Sequence, residues 1–274
     1  MFAKKQTRRF AAAGIVLALA LCIALVSVAE VRLPEASGKS VKKDGSMVVD
    51  CSHMDQGYVM VKASSSKKQY KVRVVTSGAK LNYDLNSDGE YEVFPLQFGS
   101  AKYQIGLYRQ VKGTKYEQVG KATLNAKMED ELSCFLYPNQ YVNYNAETAC
   151  VVAASEMCAG MTDQAEIFKT VCKYITSNFV YDFIKSVTVT KGMLPDIDGC
   201  WTNRMGICQD LSAVTCAMLR SQGVPARLMI GTLGANTYHA WVMAVVNGED
   251  KFFDPTAELN ASSKTDTYTT ERYY

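Results

Sequence analysis

The feature that most restricts how this chain folds is a change of hydrophobic period near its middle. From about residue 46 to residue 127, apolar and polar side chains alternate in short runs. Examples are Gly57-Tyr58-Val59-Met60-Val61, Tyr70-Lys71-Val72-Arg73-Val74-Val75, Glu90-Tyr91-Glu92-Val93-Phe94 and Tyr103-Gln104-Ile105-Gly106-Leu107-Tyr108. Alternation of this kind, broken by Gly, Ser, Asn, Asp or Lys turns, marks the strands of an all-β sandwich, Ig-like or related. A connector at residues 132–144, rich in aromatics with one proline, follows. The period then becomes helical, from near Ala146 and again over residues 163–178, where Asp163 and Glu166 form a capping box. Helices followed by a run of strands predict an α+β second half. The chain therefore divides into a polar linker at 30–45, a β-sandwich module at 46–128 and an α+β domain at 129–274.

Residues 1–29 stand apart from both. Lys4, Lys5, Arg8 and Arg9 precede an uncharged run over residues 10–29 that closes on Ser27-Val28-Ala29. That is the order of a secretory signal, and the run is also long enough to cross a bilayer as an uncleaved anchor. The protein is expected to be secreted or extracellular, with membrane attachment only through this segment. Without it, 26 Lys and Arg face 27 Asp and Glu, so the +3 of the whole chain becomes −1. The basicity belongs to the leader, and nothing argues for a nucleic-acid partner.

Metal and cofactor chemistry finds little support. The chain has two histidines, no CxxC and no HExxH. Asp84-Leu85-Asn86-Ser87-Asp88-Gly89 starts like a calcium loop, but its twelfth position is Pro95, so it reads as a hairpin turn. No cofactor is expected. His53, beside Cys51 and Asp55, reads as a surface or turn residue. Of the eight cysteines beyond the leader, Cys158, Cys172 and Cys216 fall in helical patterns as buried thiols. Cys200, eight residues before Cys208, is the candidate oxidative partner.

Three segments near the C-terminus carry the chemistry: Gly206-Ile207-Cys208-Gln209-Asp210, Tyr238-His239-Ala240-Trp241 and Phe253-Asp254-Pro255-Thr256. They supply a thiol, an imidazole and a carboxylate, as nucleophilic cysteine catalysis requires. Leu211, Val214 and Met218 recur at helical spacing and Gly223-Val224-Pro225 closes the element, predicting a helix over 207–222. Cys208 then lies in its first turn, where free backbone N–H groups and the helix dipole favour a thiolate. Asn247-Gly248 between two apolar runs predicts a two-residue hairpin. In that register Val246 faces Glu249 and Trp241 faces Asp254, with His239 a diagonal step away on the same face.

Residues 200–256 resemble the transglutaminase-like superfamily, and weaker similarity reaches back to about Gln140. The resemblance rests on Gly206, Cys208, Asp210, Leu219-Arg220, Gly223-Val224-Pro225-Ala226-Arg227, Gly231, His239-Ala240-Trp241 and Asp254-Pro255-Thr256. It implies a papain-like α+β domain of the kind found in exported bacterial proteins. Cys208 is then the nucleophile, His239 the general base and acid, and Asp254 the group that orients the imidazole. The implied activity is thiol-dependent amide-bond chemistry: glutamine acyl transfer, deamidation or peptide hydrolysis. Its substrate is a protein or peptide, cell-wall peptides included, and the acceptor, amine or water, is left open, as is the oligomeric state. Trp201 and Tyr181 are candidate walls of the substrate cleft, and Trp241 is a cleft residue that shields the His–Asp pair. The β-module carries no such set and reads as a separable docking domain. The competing reading is a non-catalytic surface binding protein whose transglutaminase-like fold is vestigial.

Overall fold

The alternating first half closes into two four-stranded antiparallel sheets. The computed structural model describes residues 30–274 apart from 65, 191, 235 and 261–266, so the leader lies outside the described residues. The strands are β1 (Val41–Asp44), β2 (Met47–Asp50), β3 (Tyr58–Ala63), β4 (Tyr70–Thr76), β5 (Ala79–Leu85), β6 (Glu92–Pro95), β7 (Lys102–Lys112) and β8 (Lys115–Asn125). One sheet has the order β1-β2-β3-β6 and the other β5-β4-β7-β8. Their inward positions, among them Val49, Val61, Val72, Val74, Phe94, Ile105 and Leu107, are buried, as a period of two demands.

Two expectations need correction here. Part of the stretch at 30–45 is edge strand β1 rather than linker, and the Gly38 N–H donates to Asp50 Oδ2 at 2.6 Å. A polar edge strand has all four side chains exposed, so it carries no apolar signature to read. The turn at 84–89 is not a hairpin either. It carries the chain from the edge strand β5 of one sheet to the edge strand β6 of the other. Turn residues mark a change of direction but do not say which sheet the next strand joins.

The second half comprises α1 (Ala149–Met157), α2 (Gln164–Asn178), β9 (Val180–Tyr181), α3 (Phe183–Thr188), α4 (Ile197–Asn203), β10 (Met205–Gly206) and α5 (Cys208–Ser221), followed by β11 (Ala226–Leu233), β12 (Thr237–Val246), β13 (Glu249–Phe253), α6 (Pro255–Leu259) and β14 (Tyr268–Tyr273). Strands in the order β13-β12-β11-β14 form an antiparallel sheet. Helix α5 packs on β11 and β12 and also meets α1, α2 and α4, so all its residues are buried. Asn247 and Gly248 take φ of 51° and 83°, the left-handed pair that a tight hairpin turn requires. The Asn247 N–H donates to Gln164 Oε1 at 2.8 Å, tying the turn to the start of α2.

The two halves share one hydrophobic core, so the sandwich is not the detachable module that its sequence suggests. The Tyr141 and Tyr274 rings stack with centroids 3.6 Å apart, and Tyr83 meets Tyr274 edge-on at 5.7 Å. Gln97 Nε2 donates to the Tyr273 carbonyl. Arg220, 1% exposed, fastens the junction from the other side. Its Nε, Nη1 and Nη2 donate to the carbonyls of Ala226, Tyr137 and Tyr274, each at 2.8 Å. Arg220→Met should leave three buried carbonyls without a donor and lower the unfolding free energy by about 3 kcal/mol. Urea titration measures this, and Arg220→Lys should recover only part of the loss, because an ammonium lacks the planar fork.

Candidate functional site

Cys208 opens α5, and the segment before it is held on several sides. The buried Asp210 carboxylate accepts the Ile207 N–H (3.0 Å) and the Asp196 N–H (3.0 Å), and its Oδ2 pairs with Lys185 Nζ at 2.7 Å. Strand β10 pairs in parallel with β9, and the Asp182 N–H donates to the Gly206 carbonyl at 2.9 Å. Gly206 has no room for a side chain: a Cβ there would lie 2.7 Å from Cys200 Sγ and 2.9 Å from Asp210 Cβ.

His239 and Asp254 arrive through the hairpin. The pairing runs from Val246↔Glu249 to Val242↔Phe253, the register expected from a turn at Asn247-Gly248. His239 Nε2 lies 2.7 Å from Asp254 Oδ2, with both residues buried. The carboxylate has three further donors. Its Oδ1 caps α6 through the N–H groups of Thr256 (2.9 Å) and Ala257 (3.1 Å), and its Oδ2 accepts from the Tyr268 hydroxyl at 2.6 Å. Burial pushes the Asp254 carboxyl up, but the His239, Tyr268 and Ala257 bonds outweigh it and hold the group below its ordinary range. For His239, burial pulls down, while hydrogen bonds to Asp254 and to Cys208 raise the imidazole to about 9. Thiol, imidazole and carboxylate are thus joined in one line.

The other residues singled out in the sequence are placed as follows. Trp241 is 2% exposed and stacks on His239 at 6.3 Å, with its edge contact to Tyr268 at 5.1 Å. It covers the His–Asp pair from within and offers no face to a cleft. Tyr181 lies on β9, paired with the strand that leads into Cys208, and burial first and then Cys208 push its hydroxyl upward. Trp201 has other neighbours: its ring stacks on Tyr174 (5.6 Å) beneath the Arg204 guanidinium (3.9 Å), none of them in the thiol–imidazole–carboxylate set. His53 precedes a single 3-10 turn, stacked on Tyr58 with Glu35 3.3 Å away. Cys200 is buried under Gly206, and burial pushes its thiol to about 12. Burial likewise raises Cys134, Cys150 and Cys216 to about 12, Cys158 to about 11, and Cys51 and Cys172 upward. None of the eight cysteines among the described residues is bonded to another. No group of three or more His, Cys, Asp or Glu among the described residues is placed to hold a metal ion.

Sequence reasoning missed Tyr268, Tyr238 and the second role of Asp254. Asp-Pro-Thr does carry the cap signal, an Asp followed by Pro at the first helical position. Tyr238, next to His239 on β12, accepts a hydrogen bond from Arg272 Nη2 at 2.7 Å, and burial pushes its hydroxyl upward. Tyr268 has no local signal, because it reaches Asp254 only through the pairing of β14 with β11. That pairing needs Gly231: a Cβ there would lie 1.9 Å from the Thr269 carbonyl oxygen, at a bulge opposite His239.

Residues 152–253 match the Transglutaminase-like superfamily, and this segment of the chain carries a domain of that kind. A search of curated proteins finds no match. Among solved structures the chain is similar to one named "a Putative Cysteine Protease from Cytophaga hutchinsonii", at 12% identity and TM-score 0.40, covering 80% of this chain and 86% of that one. It is also similar to red sea bream transglutaminase, at 13% identity and TM-score 0.29, covering 72% of this chain and 47% of the other. At TM-scores below 0.5 these likenesses support no functional conclusion.

The raised imidazole has a consequence for stability. Since His239 binds its proton more tightly folded than unfolded, its contribution is complete below its ordinary value of 6.5 and is lost as pH rises through about 9. The thermal midpoint should therefore fall across that window, and fall less in His239→Ala. Parallel curves for the two proteins would mean that the pair does not couple to folding.

Proposed function

We propose that this protein carries out thiol-dependent amide-bond chemistry outside the cell, with residues 1–29 as its export signal or anchor. The observation that carries the reading is the bonding of His239. With Nε2 engaged by Asp254 at 2.7 Å, the ring is oriented and its other nitrogen, Nδ1, is left for the thiol. In the reaction His239 takes the thiol proton and Cys208 acts as the thiolate. The thiolate attacks an amide carbonyl, forming a C–S bond, and the charge moves to the carbonyl oxygen. First-turn N–H groups of α5, that of Cys208 among them, face no helical acceptor and suit that oxyanion. As the oxyanion collapses the C–N bond breaks, the leaving amine or ammonia takes the His239 proton, and a thioester remains. His239 then removes a proton from the acceptor, whose attack breaks the C–S bond and restores the thiolate. Water as acceptor gives hydrolysis or deamidation, and an amine gives a new amide. Asp254 stays ionised throughout, held by its four donors.

Iodoacetamide near neutral pH, with modified cysteines mapped by mass spectrometry, should label Cys208 ahead of the seven raised thiols. That preference should vanish in His239→Ala. Even labelling of all eight would favour a binding protein. On casein, glutamine peptides or cell-wall peptides, Cys208→Ala should abolish turnover, and Asp254→Asn should leave a remnant several orders of magnitude below wild type. A Cys208→Ala protein that keeps a tenth of the activity would refute the assignment. Tyr268→Phe removes one donor to a charged acceptor and should cost roughly tenfold in kcat.

A further inference from the structure

Large apolar side chains are exposed on the segments that are bonded to the start of α5. On α3, Phe183, Ile184 and Val187 are 67%, 79% and 83% exposed, and Val180, Met193 and Met205 in the flanking segments are exposed as well. A soluble surface rarely collects such residues without a use for them. Each of these segments is tied to the one that bears Cys208. Val180 is the register partner of Met205, the Asp182 N–H donates to Gly206, and Lys185 on α3 pairs with Asp210. Gln209, the residue after the thiol, donates its Nε2 to the Met193 carbonyl at 3.2 Å. Tyr181, whose β9 strand pairs with β10 just before Cys208, holds its ring 5.0 Å from that of Phe183. The apolar side chains are therefore carried on segments bonded directly to the one that bears Cys208.

We infer that the α3 face is a specificity surface of the proposed amide-bond reaction, taking a large apolar side chain of the peptide substrate near the bond under attack. The inference rests on the reading of Cys208 as nucleophile. Charge and size choose this occupant over the other two that an apolar patch can have. Lys185, the basic residue of α3, has its ammonium spent on Asp210 at 2.7 Å, so it is not available to anionic lipid headgroups. A six-residue helix is roughly 9 Å long. The patch's six exposed apolar residues fall well short of the roughly 20–30 residues a side that a stable dimer engages.

The test compares two alkylating probes on the purified protein, acetyl-leucyl and acetyl-glycyl chloromethyl ketone. In each, the Cys208 thiolate displaces chloride, a C–S bond replaces the C–Cl bond, and the rate is read at Cys208 by mass spectrometry. The leucyl probe should react about tenfold faster, the discrimination that an apolar site gives between side chains of such different size. In the double variant Ile184→Ser/Val187→Ser the ratio should drop toward one because the leucyl rate falls to the glycyl rate. The glycyl rate reports the fold and the thiol of the same variant. A wild-type ratio near one, or a ratio unchanged in the variant, overturns the inference. It is equally overturned if the ratio is unchanged while the variant loses self-association in sedimentation or loses binding to phosphatidylglycerol vesicles, outcomes that assign the patch to a second copy or to a membrane. Failure of either probe and of iodoacetamide to modify wild-type Cys208 would instead strike the proposed function itself.

Discussion

A helix with no solvent-facing side must have its ends satisfied by protein alone, and α5 is such a helix. Its two fully buried charges do this work. Asp210, in the first turn, binds the N–H of Ile207 and gathers in α3 and the approach to α4. Arg220, in the last turn, reaches carbonyls from the connector, β11 and the residue after β14. An acid at the N-terminal end and a base at the C-terminal end also match the helix dipole. Everything else near the site is arranged around these two ends, with the thiol at the first and the junction with the sandwich at the second.

The site was legible in the sequence wherever the chemistry is local. Asn247-Gly248 fixes a hairpin, a hairpin fixes a register, and the register puts His239 and Asp254 on one face. The helix over 207–222 could be read because a glycine and a proline close it, and the observed α5 lies inside those bounds. Alternation likewise revealed β3, β4, β6 and β7, whose inner faces are apolar. What escaped was non-local or polar. Nothing near Tyr268 announces a hydrogen bond to a carboxylate fourteen residues back. Trp201 looked like a cleft residue because aromatics near a nucleophile attract that reading, and it turns out to stack against Tyr174 and Arg204. The exposed strand β1 resembled a linker for want of apolar residues.

The eight thiols among the described residues pose a problem of selectivity, and burial resolves most of it. Seven are held in their protonated form by surroundings that cannot solvate a charge. Cys208 is also buried, yet it alone among them bonds to an imidazole that a carboxylate has oriented. What sets Cys208 apart is its partner and not its exposure.

Strand β14 belongs to two structures at once. Its first residue gives a hydroxyl to Asp254, while its last residue and Tyr274 are gripped by Gln97, Phe135, Tyr83 and Tyr141. Most of the strand between is exposed and looks like ordinary variable surface. Yet successive side chains on a strand point to opposite faces, so adding or deleting a single residue between Thr269 and Arg272 would turn either Tyr268 or Tyr273 to the wrong side. The exposed middle of the strand thus tolerates exchange of its side chains but not a change in its length, and acts as a ruler laid between the sandwich and the carboxylate.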